Sequence, residues 1–241
     1  MGMASRLLDL SVRGIMLRAK YGAAQVKYRR HRHPTTYEWD WTKVNFNRIA
    51  LVNLLIAKTR GVESRYLEIG CAGNDLFDSV ACPHKVGVDS VAGGTLRMSS
   101  DDFFSNNRDI FDVIFIDGLH HFEQARRDAA NAVAVLAEDG WVAFHDFLPR
   151  SWKEHHVPRL QNVWTGDCWK LALELAGASG VEFKIISIDH GVGVMRKVHN
   201  QVSIPDHSKE LRRAEFGTFV ERFEELPVVD WREGVDWIMG A

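Results

Sequence analysis

The chain has 241 residues, 46% hydrophobic and 26% charged, with 6 prolines. That composition describes one ordinary globular domain with short additions and excludes low-complexity or collagen-like character. A formal net charge of −2 excludes a global attraction to nucleic acid or anionic lipid.

The basic residues are unevenly spread. Residues 1–33 hold eight of them (Arg6, Arg13, Arg18, Lys20, Lys27, Arg29, Arg30, Arg32) against Asp9, which leaves 22 basic and 31 acidic residues for the rest. Leu8, Val12, Ile15 and Ala19 recur at helical spacing, so residues 5–20 read as an amphipathic helix. It is followed by the polar stretch Lys27–His33, and residues 1–43 form a basic appendage whose expected role is a solvated or inter-subunit face. The sequence has no apolar run near the roughly 18 residues of a membrane span, and the N-terminus lacks the apolar core of a signal peptide. Cys71, Cys82 and Cys168 contain no CxxC pair, so neither a disulfide framework nor a structural zinc knuckle is expected. A cytoplasmic protein able to form homo-oligomers, with no nucleic-acid partner, is the expectation.

A helix is expected over about Val44–Thr59, and then the punctuation becomes regular. Strand-like runs occur at Arg65–Gly70, Lys85–Asp89, Phe111–Asp117, Gly140–Asp146, Phe183–Asp189 and Val192–Arg196, with helical patterns between most of them. Alternating strands and helices imply βαβ units, and nearly continuous apolar strands imply a mostly parallel sheet covered on both faces. The fold class is therefore α/β, a doubly wound Rossmann-like sheet, with its core over residues 44–200. Residues 201–241, with charges around Phe216, Phe219 and Phe223, read as a covering C-terminal helix.

Four strand-like runs end in aspartate: Asp89, Asp117, Asp146 and Asp189. Ligands of open α/β sheets bind outside the carboxyl ends of the strands, so these carboxylates belong to the functional rim. Glu68-Ile-Gly70-Cys71-Ala72-Gly73-Asn74 lies between the first strand and the next helix, where glycine lets the backbone turn close to a ligand. Asp89 follows Glu68 by 21 residues, the spacing of an acid that accepts hydrogen bonds from ribose hydroxyls. No Lys-Ser/Thr follows the turn, and the three-glycine dinucleotide spacing is not met, which favours an adenosine ligand without phosphates.

At these residues the sequence resembles the class I S-adenosylmethionine-dependent methyltransferases, and within them the family 24 group. The resemblance is carried by YLEIGCAGN, KVGVDSVAGGTLRMSSDDFF, FDVIFIDGLHHFEQARRD, GWVAFHDFLPR, WTGDCWK and DHGVGV, from Tyr66 to Val194. It implies a seven-stranded sheet whose last strand is antiparallel. By the same likeness Glu68, Gly70, Cys71, Ala72 and Gly73 hold the methionine moiety, Asp89 the ribose and Asp101 the adenine amino group, and Asp117 also meets the cofactor. Ala72 and Asn74 stand where the common pattern has glycines, Asn being tolerant of left-handed angles.

Methyl transfer from a sulfonium needs positioning and either removal of the acceptor proton or a metal to hold the acceptor oxygen. Asp117, His120, His121, His145 and Asp146 are the candidate catalytic residues. Two mechanisms stay open: Mg2+ or Mn2+ bound by Asp117 and Asp146 with His145, or His120, His121 or His145 as a metal-free base. The expected acceptor is a small polar or sugar-like molecule methylated on oxygen. The rivals are a non-catalytic binder of S-adenosylmethionine or S-adenosylhomocysteine and an accessory protein of the cephalosporin-hydroxylase kind. Trp39, Trp41, Trp152, Trp164 and Trp169 are read as packing residues, and His155 and His156 as solvated loop residues.

Overall fold

A computed structural model describes residues 12–240. Helix α1 (Val12–Lys27) continues the expected N-terminal helix beyond its anticipated end, while residues 5–11, Leu8 included, lie outside the described residues. Helix α2 (Arg48–Lys58) starts at Asn47, whose side chain accepts the Ala50 amide hydrogen, a standard N-cap that satisfies one orphan donor. The helix therefore begins later than Val44, where the chain is still turning.

The sheet has seven strands: β1 (Tyr66–Ile69), β2 (Lys85–Val88), β3 (Phe111–Ile116), β4 (Leu136–Phe144), β5 (Val181–Ile186), β6 (Val192–Lys197) and β7 (Val228–Val229). Their order is β2-β1-β3-β4-β6-β5-β7. Strand β6 runs antiparallel to both neighbours, whereas β7 is parallel to β5. The antiparallel strand is thus the sixth, not the last as the resemblance implied. It runs backwards because it returns from β5 through the short turn at Asp189–Gly191, too short for a crossover.

Successive side chains alternate between two cores. Leu67, Ile69, Ile114, Ile116, Val142 and Phe144 face one cluster, packed by α4 (Ser100–Asn106), α5 (Phe122–Ala134) and α7 (Trp169–Ala176). Tyr66, Val113, Phe115, Trp141 and Ala143 face the other, closed by α2, α3 (Asp75–Ser79) and α10 (Trp231–Met239). Burial on both faces explains why the central strands read as unbroken apolar runs. The single C-terminal helix expected from the sequence is instead α8 (Ser208–Leu211), α9 (Phe216–Glu221), β7 and α10. Pro227 precedes β7 and breaks any helix running through it. A short helix α6 (Trp152–His155) completes the inventory in the loop after β4. No helix among the described residues is long and apolar enough to cross a membrane.

Candidate functional site

An open cleft of about 720 Å3 lies over the carboxyl ends of β1–β4. Backbone bonds level this rim, with Asp117 N donating to Ile69 O at 2.8 Å and His145 N to Ile116 O at 3.0 Å. Gly70 (φ +87°) turns the chain off β1, and a Cβ there would overlap the Asp117 carbonyl oxygen. Ala72 (φ +44°) and Asn74 (φ +66°) are left-handed as well. Asn74 keeps its place for a further reason, since its Oδ1 accepts the Gly94 amide hydrogen at 2.7 Å. The Gly93-Gly94 turn, with no room for side chains, thereby locks onto the first loop.

Asp89 Oδ2 accepts from Ala72 N (3.0 Å), and Oδ1 accepts from Val91 N (2.7 Å) and Ala92 N (2.8 Å). Burial works to raise its pKa, but these amides and Arg97 outweigh it and hold the carboxyl below its usual range. Asp89 lines the cleft together with Gly70, Ala72, Met98, Ser99 and Ser100. Asp101 is not among the lining residues. It faces outward, where its Oδ1 accepts from Gln124 Nε2 at 3.1 Å and pairs with Arg127 Nε at 3.3 Å. Glu68, Cys71 and Gly73 border a smaller cavity of about 70 Å3 behind the turn. Glu68 is 2% exposed and accepts from the Tyr66 hydroxyl at 2.6 Å. Burial pushes its pKa up to about 7, against the pull of that hydrogen bond.

The opposite end of the cleft is a ring of charges. His120 Nε2 lies 3.1 Å from Asp117 Oδ1, and its Nδ1 lies 2.8 Å from Asp146 Oδ2. His145 Nδ1 lies 3.3 Å from Asp117 Oδ1 and 3.2 Å from Asp146 Oδ1. Despite these short approaches, the buried Nδ1 atoms of both histidines lack hydrogen-bonding alignment. Burial disfavours the charged rings, yet the two carboxylates overcome it, pushing His120 up to about 10 and His145 well above its ordinary value. Reciprocally, against burial, the histidines hold Asp117 well below the usual range and Asp146 at about 2. His120 (φ +57°), Asp146 (φ +68°), Asp189 (φ +42°) and His190 (φ +65°) all sit in the left-handed region, a concentration of strain found where a site over-determines its geometry.

Arg48, Trp164, Gly166 and Asp167 also take part, though sequence reasoning assigns none of them a role in the site. Arg48, the first residue of α2, places Nη1 3.2 Å from His145 Nε2 and 2.9 Å from Asp189 Oδ2; its one hint was a cation opening an otherwise apolar helix. Trp164 lines the cleft and stacks on His120, with ring centroids 5.3 Å apart and planes 10° apart, whereas Trp152 and Trp169 are core residues as expected. Gly166 abuts the His120 carbonyl so closely that a Cβ could not fit, and Asp167 Oδ1 accepts the Phe122 amide hydrogen at 2.7 Å. The WTGD run thus seats the loop that carries His120. His190 lines the cleft as well, and burial holds its pKa below the ordinary histidine value. His121 is not among the lining residues and stands edge-on to Trp164 at 6.0 Å.

Asp117, His120 and Asp146 each offer a donor atom within 4.8 Å of the others. His145, expected as the third ligand, stands outside this group; its Nδ1 faces Asp117 and Asp146, while Arg48 occupies its Nε2 side. Two carboxylates and one imidazole suit a hard or borderline divalent ion, and the misaligned Nδ1 of His120 is a buried nitrogen with a ligand still to satisfy.

Residues 67–147 match the family described as a methyltransferase domain. No match was found among curated proteins. Among solved structures, the chain is similar to cofactor-bound Rv0187 from MTB at 13% identity and TM-score 0.47, covering 76% of this chain and 89% of that one. It is similar to an O-methyltransferase from Bacillus cereus in complex with SAH at 12% identity and TM-score 0.45, covering 75% and 90%. It also resembles the MycE methyltransferase of the mycinamycin pathway, with Mg and SAH, at 18% identity and TM-score 0.41, covering 61% of this chain and 48% of that protein.

Proposed function

We propose that this chain, whose residues 67–147 match the methyltransferase-domain family, binds S-adenosylmethionine in the cleft and transfers the methyl group to an oxygen of a small polar or sugar-like acceptor. The observation that carries this reading is one continuous cleft joining the Gly70–Ala72 turn and Asp89 to Asp117, His120, His145 and Asp146. In it Asp89 Oδ2, which makes one backbone bond and retains a lone pair, accepts from ribose hydroxyls, while Gly70 lets the backbone approach the methionine moiety. Met98, Ser99 and Ser100 offer the adenine an apolar face with polar edges, the role expected of Asp101.

Asp117, His120 and Asp146 would hold a divalent ion, which supplies polarisation of an acceptor hydroxyl and lowers its pKa. The chain's own residues do the remainder. The Asp117 and Asp146 carboxylates keep His120 and His145 protonated, so near neutral pH neither ring is free to take a proton. His190 is the cleft histidine held neutral by burial, and it replaces His120, His121 and His145 as the base in a metal-free route. Arg48 holds His145 and Asp189 in place, and Trp164 covers His120 and excludes water from that side. A purely binding protein calls for a mutually satisfied charge cluster with no open space beside it, and the open cleft argues against that rival. The cephalosporin-hydroxylase-like rival is separated by cofactor choice. Mass spectrometry of protein purified without added ligand is expected to find S-adenosylmethionine or S-adenosylhomocysteine, and a cleft that carries neither and takes up neither in solution would refute the proposal.

A further inference from the structure

A second cluster of metal-ligating side chains lies outside the cleft, where the N-terminal segment, the loop after β4 and the C-terminal segment meet. His31 ends the 3-10 turn Arg29–His31, His156 follows α6, and Glu215 precedes α9. Each of the three offers a donor atom within 4.8 Å of the other two. His31 Nδ1 lies 2.6 Å from Glu215 Oε1, and the His31 and His156 ring centroids are 5.1 Å apart.

The tautomer of His156 decides what the cluster can do. Its Nδ1 donates to the Pro158 carbonyl oxygen at 2.9 Å, since a carbonyl can only accept. Nε2 therefore carries the lone pair, and it is buried with no hydrogen-bond partner on a residue 1% exposed. A ring nitrogen oriented by a backbone carbonyl through the other nitrogen is how proteins present histidine to a metal. Burial also lowers the pKa of His156, which keeps the ring neutral. Glu215 is oriented in the same way, because its Oε2 faces His155 Nε2 at 3.3 Å while His155 Nδ1 accepts from Trp169 Nε1 at 3.1 Å.

We propose that His31, His156 and Glu215 bind a zinc ion, with water in the remaining position on the side where Glu215 is exposed. Two imidazoles and one carboxylate favour a borderline cation over magnesium or calcium. Arg30 Nε now donates to His31 Nε2 at 3.0 Å; ligation through His31 Nδ1 protonates Nε2, so the exposed Arg30 side chain turns away into solvent. Zinc would join three segments remote in sequence, and a bond of that kind restrains the unfolded chain most. It would also steady the cleft wall, because the His156 carbonyl accepts from Trp164 Nε1 at 2.8 Å and Trp164 covers His120. The proposal is independent of the methyl-transfer reading.

Titration of the metal-stripped full chain with Co2+, whose visible absorption reports low-coordinate imidazole ligation, tests it. Besides any Co2+ taken up by the cleft carboxylates, about one Co2+ per chain is expected to bind with a band that Zn2+ abolishes and Mg2+ does not. Zn2+ is expected to raise Tm. His156→Ala, and the more exposed His31→Gln and Glu215→Gln for the event that the buried variant fails to fold, are each expected to weaken Co2+ binding roughly tenfold or more. Asp117→Asn is expected to leave the band unchanged. No uptake, unchanged affinity in folded His31→Gln and Glu215→Gln, or loss of the band in Asp117→Asn would each overturn the proposal.

Discussion

Filling the cleft's metal position at neutral pH requires protons to leave, and the charge ring shows how many and at what cost. Asp117, Asp146 and Asp189 face His120, His145 and Arg48, so with both rings protonated the ring is electrically balanced. A nitrogen can ligate only after losing its proton. His120 is held at about 10; stripping it at a pH of about 7.5 therefore costs about 3 kcal/mol, at 1.36 kcal/mol per unit. Metal affinity should tighten about tenfold for each unit that pH rises toward that value, and binding should release at least about one proton per ion. Calorimetric titration of Mn2+ into the metal-free protein, at several pH values and in two buffers of different ionisation heat, measures both quantities. A dissociation constant independent of pH with no proton released would refute the reasoning, because His120 could then not be both protonated and a ligand.

Two further predictions follow from the same geometry. Asp89→Ala removes a carboxylate that accepts three backbone amides as well as the expected ribose contact, so S-adenosylhomocysteine should bind about 1.5–3 kcal/mol more weakly in calorimetry; unchanged affinity would remove Asp89 from the site. The metal-free protein should also lose thermal stability in alkali. A histidine whose folded pKa is raised to about 10 stabilises fully below its unfolded value of about 6.5 and loses that contribution as pH rises through the folded one. His145 shifts in the same direction. Tm is therefore expected to fall between about pH 7 and 10 in the wild type and to fall less in His120→Gln, whereas equal slopes would show that the ring does not titrate as described.

What the sequence disclosed depended on how local the cause was. Strands β1 to β6 were legible because burial on both faces leaves unbroken apolar runs such as Phe111–Ile116, and the aspartates after them marked the rim. Strand β7 has two residues and exists only through its pairing with β5, so no periodicity could announce it. Gly70 was legible as a sharp turn, but the lock between Asn74 and Gly94 joins residues 20 apart through tertiary folding. The same holds for Arg48, which reaches His145 across 97 positions. Adjacent histidines could not be sorted by sequence: His120 turns into the cleft because its left-handed backbone is wedged by Gly166, which leaves His121 outside. His156 read as a loop residue because the bond that orients it, to the Pro158 carbonyl, appears only when the loop folds back.

The most direct test of the central claim is calorimetric titration of S-adenosylhomocysteine into the wild type and into Gly70→Val, whose added side chain must overlap the Asp117 carbonyl oxygen at the cleft wall. The account predicts binding of about one ligand per chain in the wild type, with binding lost in a variant shown by circular dichroism to remain folded. A wild-type protein that binds no S-adenosylhomocysteine, or a folded Gly70→Val that binds it with unchanged affinity, would contradict the assignment of the cleft.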